Sequence, residues 1–154
     1  MSDARIVRSS EGESYGNQWL FKEGSLTGGQ FDFLVGYIDY LAGPRLHIHK
    51  EQVDSFYVLE GVLTMQIGED IIELGPGDFA TAPPGVPHTF SNVHKDQSPV
   101  KLVNLMTPGG LDRHFQDITQ SKDLDGNPER LAELEDDSGL TVVGPTLAEK
   151  LGLS

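Results

Sequence analysis

Short apolar runs, each cut off by glycine, proline, asparagine or aspartate, fill the first two thirds of the chain. "QWLFK", "QFDFLVGYIDYLA", "DSFYVLEGVLTMQIG", "DIIELG", "DFATAP", "HTFSN" and "VKLVNLMT" all read as strands. Gly68-Glu69-Asp70 between two of them is a tight hairpin signal. Many short strands at this spacing predict an all-β sandwich or barrel, spanning about residues 15–107. The pattern then changes. Leu111, Phe115 and Ile118 fall at helical spacing, Asn127-Pro128 reads as a helix start, and Thr146 with Glu149 forms a capping-box pattern. A short helical C-terminal tail over about 108–154 is expected, with "LTVV" as one further strand. At 154 residues, the chain suits a single domain, 1–154.

Charge narrows the partners. Acids outnumber bases 24 to 11, a formal charge of −13. Such a surface repels phosphate backbones and anionic membrane faces, so neither nucleic acid nor membrane is an expected partner. No stretch approaches the length of a membrane span. The opening residues contain no apolar export signal, which makes cytoplasmic the expected location. The absence of cysteine excludes disulfides, thiolate metal sites and a cysteine nucleophile.

Histidine placement carries the chemistry. In "GPRLHIHKEQVDSFYVLEG" (Gly43 to Gly61), His47 and His49 stand two apart on a strand and so share a face. A turn through "KEQV" would return the Asp54 carboxylate beside them. Glu51 is a weaker substitute on the same face. Downstream, Pro83, Pro84, Gly85 and Pro87 force a rigid turn directly before His88. His47, His49, Asp54 and His88 together would offer three imidazoles and one carboxylate. That set suits one divalent first-row ion: iron, nickel, cobalt, manganese or copper. Protons compete for the same nitrogens, which predicts metal loss below about pH 6. His94 and His114 stand apart from both blocks and read as surface residues.

These two blocks resemble the paired motifs of the cupin family. Gly43, His47, His49, Asp54 and Gly61 match the first; Gly77, Pro83, Gly85, His88 and Asn92 match the second. The resemblance implies a double-stranded β-helix, the jelly-roll barrel, with the metal inside, and a homodimer. One departure stands out: the family's acid is usually glutamate, and Asp54 is one methylene shorter. The stretches "GSLTGGQFDFLVGYIDYLAGPRLHIH", "LMTPGGLDRHFQDI" and "PERLAELEDDSGLTVVGP" further resemble the monocupins similar to quercetin 2,3-dioxygenase.

That resemblance implies a metal-dependent dioxygenase that opens the ring of a flavonol or related enolic aromatic substrate with O2. Asp54 would be the catalytic base. Strand alternation places Phe56 on the face of Asp54 and Phe90 on that of His88, so both are candidate pocket walls. Met106 and Phe115 would close the mouth, and Arg45 is the nearest basic side chain. Two alternatives stay open. One is a metal-dependent isomerase or lyase acting on a sugar or keto acid; the other is a non-catalytic ligand-binding barrel.

Overall fold

The computed structural model describes residues 6–15, 19–23, 30–111 and 139–153. Eleven strands are described: β1 (Glu13–Tyr15), β2 (Trp19–Glu23), β3 (Asp32–Ile38), β4 (Arg45–His49), β5 (Val53–Glu60), β6 (Leu63–Ile67), β7 (Asp70–Leu74), β8 (Phe79–Ala82), β9 (His88–Ser91), β10 (Val100–Thr107) and β11 (Leu140–Thr146). A single turn of helix, α1 (Leu147–Lys150), follows. They form two antiparallel sheets, β1-β2-β3-β10-β5-β8 and β11-β4-β9-β6-β7. The faces that meet build the interior of a double-stranded β-helix.

Alternation explains which side chains enter. On β3, Asp32, Leu34, Gly36 and Ile38 are buried or turned inward, and on β10 so are Val100, Leu102, Asn104 and Met106. Glycine at 36 leaves room for an aromatic ring: a Cβ there would lie 2.5 Å from the Trp19 indole. One end of the interior is an apolar plug drawn from both sheets, with Ile38, Val58, Leu102 and Val100 facing Leu63, Met65 and Phe90. At the other end, polar residues occupy the inward positions: His47, His49, Asp54, His88 and Asn104 are all buried.

One difference from the sequence reading has a clear cause. The run Asp54–Gly68 is two strands, because Gly61 at φ 84° breaks it between Glu60 and Leu63. The further strand expected at "LTVV" forms as β11 and joins the second sheet. Strand β11 pairs with β4, setting Leu140 opposite His49 and Val142 opposite His47. It supplies the neighbour that β4 lacks on one side, and the apolar alternation of "LTVV" fits that place. The capping box at Thr146 and Glu149 forms as the spacing indicates, with both reciprocal bonds present. The helices expected near 111–118 and 128–137 lie outside the described residues, apart from Leu111. No helix among the described residues is long and apolar enough to cross a membrane.

The link from β3 to β4 is tightly determined. Leu41 holds φ 63°, a conformation costly for a branched side chain, and its N–H donates to the Asn92 carbonyl at 2.8 Å. Asn92 also donates from its side chain to the Ile38 carbonyl. Two residues on, Gly43 has φ 154°, and a Cβ there would sit 1.9 Å from the Phe90 carbonyl oxygen. Gly43→Ala should therefore force β4 away from β9 and cost more than about 3 kcal/mol. Gly152→Ala, at φ 71° in open space, should cost only about 1 kcal/mol. Urea midpoints at unchanged slope measure both; equal losses would mean that close approach at Gly43 is not the constraint.

Candidate metal centre

Each polar residue of the interior is delivered by a different structural device. His47 and His49 stand on β4 with Ile48 between them, so both imidazoles face inward. Asp54 is the second residue of β5, returned beside them by the turn after His49. The Pro83–Pro87 turn sets His88 at the first position of β9, in register with His47. That turn is bonded to the histidine strand as well: Gly85 N–H donates to the His49 carbonyl at 2.8 Å. The three ring centroids lie 4.5–5.3 Å apart. One potential ligand atom from each of His47, His49, Asp54 and His88 falls within 4.8 Å of the others, and all four residues are buried.

Backbone carbonyls fix two of the rings. His47 Nδ1 lies 2.7 Å from the Arg45 carbonyl oxygen, and His88 Nδ1 lies 2.9 Å from that of Val86. A carbonyl can only accept, so each Nδ1 carries the hydrogen and the neutral ring keeps a bare lone pair at Nε2. His88 Nε2 then lies 2.9 Å from Asp54 Oδ2. Two lone pairs at that distance repel, so a proton on Nε2 or a metal cation must lie between them. His49 Nε2 is 3.3 Å from the same oxygen, and His49 Nδ1 is buried without a partner. This donor set fits a metal ion: imidazole nitrogens and one carboxylate oxygen converge in a buried space.

Burial and mutual repulsion keep the His47 imidazole available. His47 is pushed down to about 4, first by loss of hydration and then by His88 and His49. Burial alone would raise Asp54, but its contacts with the His49 and His88 rings outweigh that and hold it well below the usual carboxylate range. Asp54 is thus an anion at neutral pH although it is 4% exposed. The shorter acid does reach two of the imidazoles, those of His49 and His88.

The remaining sequence candidates sort by position. Phe56 packs its ring 6.3 Å from His88 and 5.2 Å from Phe90, and both phenylalanines belong to the apolar plug. Met106 is fully buried and pairs with Asp54 across β10 and β5. Arg45 is exposed; its carbonyl, not its guanidinium, serves the cage. Glu51 is exposed in the turn and does not join the cluster. His94 is exposed and paired with Glu73, a surface contact worth little. Phe115 and His114 lie outside the described residues.

Three buried polar residues escaped the sequence reading. Asn104 on β10 donates to Asp54 Oδ1. Gln52 donates to the Pro108 carbonyl at 2.9 Å, tying the turn after His49 to the corner that follows β10. Asp32 accepts from the N–H groups of Gly110 and Leu111 at that same corner. The signal was available in parity: Asn104 alternates with Leu102 and Met106, and Asp32 with Leu34, at positions that otherwise face the core.

Comparison with known proteins agrees with this picture. Residues 41–106 match the family model of the cupin domain, a span that contains the whole cage. A quercetin 2,3-dioxygenase of Bacillus subtilis is 32% identical over 72 residues, which is 47% of this chain and 20% of that protein. A sugar phosphate isomerase of the cupin superfamily from Silicibacter pomeroyi is 26% identical, with a TM-score of 0.50 over 58% of this chain and 57% of that one. KdgF from Halomonas sp. superposes with a TM-score of 0.60 over 72% of this chain and 99% of that one, at 16% identity, a likeness of fold. The chain thus spans a fifth of the curated relative it matches and just over half of the isomerase.

Two outcomes follow. His88→Ala should abolish tight binding of one transition metal per chain, read by plasma mass spectrometry after dialysis; unchanged metal content would sink the four-ligand arrangement. The second concerns pH. The unfolded chain protonates His47 near 6.5, the folded chain only near 4. Stability of the metal-free protein should be complete above 6.5 and fall as pH drops towards 4, by an amount on the order of 3 kcal/mol. Proton competition at His47 also moves below the window expected of an ordinary imidazole. Urea unfolding at stepped pH tests this, and His47→Gln should flatten the profile; an identical slope in the variant would contradict it.

Proposed function

We propose that this chain, which carries a cupin domain over residues 41–106, is a metal-dependent dioxygenase acting on a flavonol or a related enolic aromatic compound. The carrying observation is the contrast around the cage. Its polar groups are metal-ligating, and the side chains beside them are Phe56, Phe90, Met106 and Ala82. Among the described residues no lysine or arginine is buried. A phosphorylated sugar would need such cations to replace its hydration, whereas a planar aromatic needs an apolar wall. The similarity to a quercetin 2,3-dioxygenase supports the same reading.

The chain's own residues have definable tasks. His47, His49 and His88, with Asp54, would hold the ion, and Arg45 and Val86 carbonyls orient two of the rings for it. The bound ion would act as a Lewis acid, lowering the pKa of a substrate hydroxyl. Asp54 is a weak base, held low by its surroundings. As the carboxylate beside the ion, it would accept that hydroxyl's proton. Met106 and the two phenylalanines would keep water from the electron-rich ring while O2 adds.

The decisive assay couples flavonol absorbance to an oxygen electrode, with the chain loaded in turn with iron, nickel, cobalt, manganese and copper. One O2 consumed per flavonol lost, with carbon monoxide released and no reaction under argon, is the expected result. Turnover of a sugar phosphate or keto acid without oxygen would favour an isomerase or lyase. A metal-loaded chain with no turnover would be a binding barrel. Asp54→Asn, which cannot take the proton, should lower flavonol turnover by about 100-fold or more.

A further inference from the structure

The two oxygens of Asp54 have different surroundings. Oδ2 faces His88 and His49. Oδ1 faces away from the imidazoles, to the side-chain amide of Asn104. Asn104 is 4% exposed and stands on β10, where its register partner on β5 is Phe56. The same amide nitrogen donates to the Ser55 carbonyl at 3.0 Å. Both hydrogens of the nitrogen are therefore used, one on Asp54 and one on the backbone that carries it. Turning the amide over would set its oxygen against a carboxylate and a carbonyl, so the two acceptors fix its orientation.

We infer that Asn104 is a positioning residue that locks the Asp54 carboxylate so that Oδ2 alone is presented to the imidazoles of His49 and His88. This rests on the reading of the cage as a metal site and says how its acid is used. Two consequences come together. Asp54 contributes one oxygen rather than two. The carboxylate plane is set from β10, the neighbouring strand, not from the turn that brings β5 back. The amide of Asn104 meets the carboxylate at the reach of aspartate, the acid that stands here in place of the motif's usual glutamate.

A double-mutant cycle tests this, with cobalt(II) as the probe. Asn104→Leu, similar in volume and without a donor, should lower cobalt affinity by about 10- to 100-fold and change the intensity of the visible cobalt bands as Asp54 turns. In an Asp54→Ala background the same Asn104→Leu change should cost no further affinity, because Asn104 acts through Asp54. Wild-type affinity in Asn104→Leu, or a loss that persists undiminished in the Asp54→Ala background, would overturn the inference. Asn104→Ser, too short to reach Oδ1, gives the second arm if the leucine variant does not fold. The same cycle read by urea unfolding of the metal-free chain should show the two residues coupled, and additivity there would equally overturn it. A wild-type chain that binds no cobalt, yet shows this coupling, would sink the metal reading and leave the Asn104–Asp54 pair standing.

Discussion

The contact between His88 and Asp54 joins the two sheets through a space closed to water. His88 comes from the five-stranded sheet and Asp54 from the six-stranded one. A separation of 2.9 Å between their polar atoms can persist only if the distance between the sheets is fixed elsewhere. The apolar plug does this, with Val58 and Leu102 on one side packed against Leu63 and Met65 on the other. Close packing makes the sheet spacing stiff, and the stiffness is passed to the polar end. The site's geometry is thus inherited from the core.

A buried polar cluster of this kind is costly to hold. Four groups able to carry charge lose their hydration, and the three imidazoles stand too close to one another to be charged together. Folding resolves part of the conflict by keeping His47 neutral and by surrounding Asp54 with nitrogen on both sides, His49 and His88 at one oxygen and Asn104 at the other. The rest remains: His88 faces acceptors at both of its nitrogens. A second proton on His88 or a bound cation resolves it.

The same stiffness bears on the proposed chemistry. Backbone carbonyls and a neighbouring strand aim the ligating side chains before anything binds, so little reorganisation is left to occur at the site. Gln52 and Asp32 extend that order to the corner after β10, which Thr107, Pro108, Gly109 and Gly110 form beside Met106. An aromatic substrate would meet a wall of Phe56, Phe90 and Met106 already in place.

The sequence by itself determined the local features. Period-two alternation with glycine and proline punctuation set the strand identities and the faces they bury. The two-residue spacing of His47 and His49 set their shared direction, and the Pro83–Pro87 turn set where His88 begins its strand. Each of these acts over a few residues, so each is written in adjacent letters. Only the tertiary structure decided the long-range features. The addition of β11 beside β4 joins residues some ninety positions apart. The reach of Asp54, and its engagement by Asn104 fifty residues away, depend on how β5 and β10 are registered. Register between distant strands comes from the packing of the whole core. A short acid at a motif position therefore looks like a defect in the sequence, and becomes intelligible once the amide across the sheet is seen to meet it.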